Sequence, residues 1–371
     1  IMQHRHQTSK ADSINEIQKY KLIKNSRTLT IDSDTILDPR FIERMNENWY
    51  TLRIYRNRVV VNEADILGAT VLPKKNPRAG LQERAIAMAR EAEYTFGQIL
   101  VRNGQNLTAL YVTPGCGFMC RAHKLILPDR TVTEDLELTQ TIQSQRKINR
   151  LSKSNLDKFI TEGFQLKIDN HLVPLVQFLE KLGKPVYFTE NNAAYVDSAF
   201  MYTQDPMDFK SLFTQVGRWC AGFHEVLFLQ GKKFRKGNKR LLFTIYGAKF
   251  EGLVSSIIFL LLPSLALIKI TTGYGVDLIF IWMFYLFDAL VQIPGIILSL
   301  YRRNRLQGRS VQESVKYSLS KSIPIFFFLY ILRFVDSVQF LRSYLITVWE
   351  TRVLKKTNWN SQWERPHAKK G

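Results

Sequence analysis

Arg27-Thr28-Leu29-Thr30-Ile31-Asp32-Ser33-Asp34 is a short apolar-leaning run that ends in two carboxylates. It predicts a strand over 27–31, with Asp32 and Asp34 at its carboxyl end. In an open α/β sheet, ligands bind in the crevice outside such strand ends. Two carboxylates one residue apart on extended chain point to roughly opposite sides. One can then meet a metal ion while the other reaches a ribose or a water. Their hard oxygens suit Mg2+ or Mn2+. A strand-end turn carrying acidic residues is the plainer reading of an isolated Asp-x-Asp, so the run needs company.

Strands and helices alternate around it. Asp38-Pro39 opens a helix through Asn46. Val59-Val60-Val61 and Ile66 to Leu72 read as strands, and Gly80 to Phe96 carries Ala, Met and Glu at helical spacing. Leu110 to Val112 reads as a strand stopped by Pro114-Gly115. Leu136 to Leu182 reads as mostly helical, and Val186-Tyr187-Phe188 as a short strand. Asp208 to Leu229 reads as an amphipathic helix. The alternation predicts an α/β domain with a largely parallel or mixed sheet, over residues 1–230.

The chain has 371 residues, 46% of them apolar, and a formal net charge of +20. Excess Lys and Arg attracts nucleic acid, anionic lipid or nucleotide phosphate. Here the basic runs Lys232-Lys233-Phe234-Arg235-Lys236 and Arg302-Arg303-Asn304-Arg305 flank apolar segments. That placement favours the cytoplasmic face of a membrane over nucleic acid, and no nucleic-acid module signature accompanies the charge. Cys116, Cys120 and Cys220 have neither zinc-type spacing nor an even count. They fit a reduced compartment, as small buried hydrophobes.

Residues 231–371 predict the membrane part. A basic loop, Gly231 to Arg240, closes the soluble domain, and apolar segments follow at 250–270, 276–301 and 323–347. A span needs about 20 residues. Asp277, Asp288 and Gln292 should face protein or a wet cavity, because lipid exposure of such groups is expensive. Between the last two segments, residues 309–322 place Val311, Val315 and Leu319 four apart, which predicts an amphipathic interfacial helix. A basic tail closes the chain. With domain and tail both inside, an even number of crossings is expected; the first two segments satisfy it, and the third spans, re-enters or lies half-buried.

Two further elements bear on chemistry. Thr133-Glu134-Asp135 reads as a helix start with Thr133 as cap. A carboxylate there in a dry pocket, its pKa raised by burial, could serve as a general base. Gln215, Arg218 and Trp219 fall at i, i+3 and i+4 and share a helix face. That face presents an amide, a guanidinium suited to a diphosphate and an indole wall for a sugar ring. An aromatic anchor at a membrane interface explains Trp219 equally well. Gly115-Cys116-Gly117-Phe118-Met119-Cys120-Arg121 is a tight turn whose glycines would let a bulky ligand approach the backbone.

In order and spacing, these elements resemble the processive membrane-bound family 2 glycosyltransferases: the cellulose, chitin and hyaluronan synthases and their poly-N-acetylglucosamine relatives. Lys10-Ala11-Asp12-Ser13-Ile14-Asn15 is similar to that family's Lys-Ala-x-x-Leu-Asn element. The resemblance implies that Lys10 holds the nucleotide diphosphate, and that Asp32 and Asp34 form the metal site, with Asp34 the principal ligand. It makes Asp135 the general base with Glu134 beside it. It also puts Gln215, Arg218 and Trp219 at the donor, and Gly115, Cys116, Gly117 and Arg121, with Trp219, at the acceptor. Ala199-x-x-Tyr202-Thr203-Gln204-Asp205-Pro206 resembles the lead-in to Gln-x-x-Arg-Trp, with Gln204 where an acidic residue is usual. Trp349-Glu350-Thr351-Arg352 resembles the Trp-Gly-Thr-Arg ending of hyaluronan synthases. Trp359 and Trp363-Glu364-Arg365 resemble the ending of the bacterial synthases, and both alignments stay open.

The implied fold is a GT-A-like glycosyltransferase domain followed by interfacial and transmembrane helices. The family's first strands and amino-terminal membrane helices would precede residue 1, and the chain opens at Ile1 rather than Met. An amino-terminally truncated domain is therefore expected. The expected function is inverting, metal-dependent transfer from a UDP-sugar donor to a growing glycan at the cytoplasmic face of the cell membrane. Single-sugar transfer to a lipid acceptor and a non-catalytic membrane subunit are the alternatives. A basic nucleic-acid-binding protein explains neither the apolar segments nor the ordered motifs.

Overall fold

The computed structural model describes residues 10–74, 76–128, 130–150, 165–168 and 171–356. Expectations for 151–164, Trp359, Trp363-Glu364-Arg365 and the rest of the basic tail lie outside the described residues.

The predicted strand forms as β1 (Arg27–Ile31). It pairs antiparallel with β6 (Gly117–Arg121), so that Ile31 stands opposite Gly117. β6 pairs antiparallel with β5 (Ile66–Pro73), and β5 runs parallel to β11 (Ala193–Thr203). The short β2 (Ile36–Leu37) closes this five-stranded sheet in the order β1-β6-β5-β11-β2. A second sheet, in the order β3-β4-β10-β7, comprises β3 (Tyr50–Ile54), β4 (Val59–Glu63), β10 (Val186–Glu190) and β7 (Lys147–Arg150). β8 (Gln165–Ile168) and β9 (His171–Pro174) pair as a separate hairpin. Every residue of β4, and all of β5 but its last, is buried. A strand covered on both faces reads as a continuous apolar run, as Val59-Val60-Val61 does.

Helices cover the sheets. α1 (Lys10–Lys19) precedes β1, and α2 (Phe41–Glu47) follows β2. Phe41, Met45 and Trp49 fall four apart and are fully enclosed in the core with Val61, Leu67 and Met201. Each such side chain contributes about 1.5–3 kcal/mol by leaving water. α3 (Leu81–Tyr94) runs directly into a π-helical stretch, Thr95–Arg102, and a last turn, Asn103–Gln105. α4 (Glu134–Ser144) and α5 (Leu175–Leu182) complete this part.

Four long helices finish the described chain. α6 (Phe209–Lys236) is capped by Asp208, whose side chain accepts from the Ser211 N–H. α7 (Lys239–Thr272), α8 (Leu278–Leu306) and α9 (Val311–Arg352) are each long and apolar enough to cross a membrane. α9 opens on a reciprocal capping box between Ser310 and Glu313. α3 joins the two halves: Ile86 and Ala89 pack with Leu212 and Val216 of α6 and Leu332 of α9. Inside the apolar bundle the Asp288 carboxylate accepts from Tyr330 and, at 2.7 Å, from Arg333. That pairing meets the expectation that Asp288 faces protein.

Several segments differ from the sequence reading. Leu110 to Val112 pairs with no strand. The Thr113 N–H that follows it donates to Thr139 Oγ1, so this chain docks on α4 instead of a ladder. Within the expected helical stretch 136–182, the described residues place α4 and α5 at the two ends and the strands β7, β8 and β9 between them. The longest strand among the described residues, β11, corresponds to no strand expected from the sequence. The basic stretch 231–240 is no loop, because α6 continues through it to Lys236 and only Gly237-Asn238 breaks the helix. There Ser144 O blocks the position of a side chain on Gly237, and Asn238 caps α7. The separate interfacial helix at 309–322 is the opening of the 42-residue α9. Its buried Ser314, Ser318 and Ser322 continue one packing face into the apolar segment.

Candidate functional site

Asp32 follows β1 directly. Its N–H donates to Cys116 O at 3.0 Å, which carries the β1–β6 pairing past the strand end. The strand-end carboxylate and the glycine turn thereby touch. Lys10, at the first turn of α1, reaches both: its ammonium donates to Asp32 Oδ1 and to Gly115 O, each at 2.6 Å. Among the described residues these two bonds use two of its three N–H donors.

Gly115 brings in the third element. A Cβ there would stand 2.8 Å from Asp135 Oδ2, so only glycine lets the turn lie this close to the carboxylate. Asp135 sits in the first turn of α4. Burial, then the neighbouring Glu134, pushes its carboxyl up to about 6, against the Leu136 N–H and Lys10. Near neutral pH such a group is ionised yet still a competent proton acceptor. Burial, then Asp32, holds the Cys116 thiol up at about 12. Cys116 is thus a neutral wall of the turn.

Thr133 holds the N-cap position but makes no side-chain capping bond. Its hydroxyl is pressed against Gly222 of α6, and Oγ1 has no hydrogen-bond partner among the described residues. The expected Thr133 cap is therefore absent, because helix packing has taken the space. The same packing joins α6 to α4. The Val132 N–H donates to Glu225 Oε2 at 3.1 Å, and Gln230 donates to Glu137 Oε1 at 2.8 Å.

Gly222 follows Arg218 by one turn on α6. In the stretch Gln215-Val216-Gly217-Arg218-Trp219, Val216 packs against Ile86 and Ala89 of α3 and Leu332 of α9. On the α9 side, Gly217 lies 3.1 Å, at its Cβ position, from the Gln339 side chain, and Gln339 donates to Phe213 O at 2.8 Å. Trp219 packs against the same core cluster as Cys116. Gln215 Oε1 is buried without a partner among the described residues.

Arg90 of α3 escaped the sequence reading. It is wholly buried, and its guanidinium lies 4.4 Å from the Trp219 ring centroid and 4.3 Å from that of Tyr94. Glu93 and Asp205 neutralise it, the latter at 3.5 Å. Nothing in the local sequence marks it, since an arginine in an Ala- and Glu-rich helix ordinarily lies in solvent.

Two expected residues stand apart. Asp34 is exposed on the turn after Asp32, beyond the Lys10 contacts. Arg121 lies at the far end of β6 from Gly117, about 13 Å along the strand. There it pairs with Glu63 and, at 3.1 Å, with Asp65. Those ion pairs commit its guanidinium away from the Gly115 turn.

A pocket of about 530 Å³ opens beside this cluster, between α1 and β1. Lys10, Asp32 and Ser33 line it together with the apolar Ile14, Ile17 and Leu29. Among the described residues no three His, Cys, Asp or Glu side chains gather as a metal cage. Magnesium commonly binds through one or two carboxylates plus substrate phosphates. Asp32 and Asp34 are the two carboxylates at this strand end, the first bound to Lys10 and the second exposed. The chain matches no family model and no curated protein sequence.

Proposed function

We propose that this chain is an inverting glycosyltransferase of the GT-A type that uses a UDP-sugar at the cytoplasmic face of a membrane. The observation that carries the reading is the bridge from Lys10 to both Asp32 and Gly115, with Asp135 lodged against Gly115. Three elements spread over more than a hundred residues meet there as a cation, a strand-end carboxylate and a base of raised pKa.

In this reading the nucleotide occupies the pocket beside Lys10, whose remaining N–H is directed to the diphosphate. Asp34 with Asp32 would hold a Mg2+ or Mn2+ ion, which would supply positive charge to the leaving diphosphate. Asp135 accepts the proton of the acceptor hydroxyl as its oxygen attacks the anomeric carbon. The bond from that carbon to the phosphate oxygen breaks, UDP departs, and the sugar is left with inverted configuration. Trp219, backed by Arg90, offers a flat wall to the acceptor, and Arg218 on the same helix is available to the diphosphate. Gly117 and Cys116 shape the turn on the acceptor side.

The close packing of α6 on α9 favours an acceptor that stays at the membrane, whether a growing glycan or a lipid. Product size separates the two: a polymer gives a ladder on a gel, a single transfer gives one glycolipid. The reading is tested by UDP release from a panel of UDP-sugars, using the chain in membranes. Release abolished by Asp135→Asn supports it, and release unchanged by that substitution removes it.

A further inference from the structure

A second basic site lies where α7 enters the apolar region. A pocket of about 470 Å³ is lined by Tyr55, Leu107, Thr108, Lys239, Arg240 and Phe243. Two more guanidiniums border it. Arg53 donates to Leu107 O at 3.4 Å and to Asn106 O, and Arg146 donates to Thr108 O at 3.0 Å. Arg146 Nε is buried with no partner among the described residues. Burial, then the like charges of Arg53 and Arg240, lowers the Arg146 guanidinium to about 10, with Tyr55 acting the other way. Like charges gathered this closely are costly, and an anion relieves that cost.

The pocket leads into a stripe. Phe243, Tyr246, Phe250, Val254, Ile257 and Leu261 fall on one face of α7 at helical spacing, and all are exposed. Phe243 is 81% exposed and belongs to both pocket and stripe. A headgroup-sized basic pocket that opens onto an apolar track in a membrane helix matches a molecule with a phosphate at one end and acyl chains at the other.

We propose that this pocket binds an anionic phospholipid, its phosphate among Arg53, Arg146, Lys239 and Arg240 and its acyl chains along the exposed face of α7. The site is independent of the proposed glycosyl transfer. It requires only that α7 lies in a bilayer.

The test uses the full chain in neutral detergent, with phosphatidylglycerol, phosphatidylcholine or inorganic phosphate added and binding read by native mass spectrometry. Phosphatidylglycerol should bind in preference to phosphatidylcholine. The double variant Lys239→Gln, Arg240→Gln removes exposed charges that the fold does not use, and should weaken phosphatidylglycerol about tenfold. The control Lys316→Gln, Lys321→Gln removes equal charge from the exposed surface of α9 and should leave that affinity unchanged. Equal loss in both variants would reduce the effect to general surface charge and overturn the site. Displacement of the lipid by millimolar inorganic phosphate, or no preference over phosphatidylcholine, would overturn the lipid assignment.

Discussion

Gly115 faces Asp135 so closely that a methyl group on it would stand 2.8 Å from Oδ2. Gly115→Ala therefore has to displace the carboxylate, the turn, or both. A misplacement of about 1 Å at a reacting group can cost about a hundredfold in rate. We expect Gly115→Ala to lower kcat by about that factor while UDP affinity stays near normal. Turnover by the alanine variant within twofold of wild type would show that the contact does not set the position of the base.

The raised carboxyl of Asp135 has a sign that can be followed. A base must be ionised, so kcat/KM should climb with pH through about 6 and level off above it. The stability consequence runs the other way. Folding holds the proton to a higher pH than the unfolded chain does, so ionisation weakens the fold as pH rises from the ordinary carboxyl range to about 6. Asp135→Asn should thus melt above wild type at pH 8, and the two should converge near pH 4. The same variant should lose activity by about a hundredfold or more. Identical melting curves at both pH values would place the carboxyl in open solvent.

Lys10 ties α1 to both Asp32 and the carbonyl of the Gly115 turn. Lys10→Met should weaken UDP binding about tenfold, as expected for loss of a charge-assisted hydrogen bond. Isothermal titration with UDP reads it directly. Undiminished affinity would move the nucleotide elsewhere.

Arg90 holds Trp219 from behind while buried between Glu93 and Asp205. Arg90→Met leaves both carboxylates without their cation and should cost about 3–5 kcal/mol of stability. Arg90→Lys should restore part of the stability but not the flat contact with the indole, because an ammonium cannot stack as a guanidinium does. Thermal unfolding in detergent and the emission wavelength of the tryptophans report the two effects separately. A melting point for Arg90→Met equal to wild type would mean that the network carries no structural weight.

How far the sequence could be read follows the range of the interactions. β1 and α6 were legible because each is local: an apolar run ending in Asp32, and a helical face begun by the cap at Asp208. The pairing of Ile31 with Gly117 brings the acidic strand end beside the glycine turn. β11 was not legible, because its central place beside β5 is set by partners far away in the chain. Arg90 was hidden for the same reason, since its burial depends on Asp205 and Trp219. The Thr133 cap failed when Gly222 of α6 took the space its hydroxyl needed. The boundary at 309–322 was misread because an amphipathic opening and an apolar continuation can share one helix when Ser314, Ser318 and Ser322 keep the same face buried.

The central claim is that Lys10, Asp32 and Asp135 frame a UDP-sugar. Its most direct test is transfer of radiolabel from a panel of UDP-sugars by membranes carrying the chain, run in parallel with membranes carrying Asp135→Asn. The account predicts incorporation from at least one donor by the first and none above background by the second. Equal incorporation by both would contradict it.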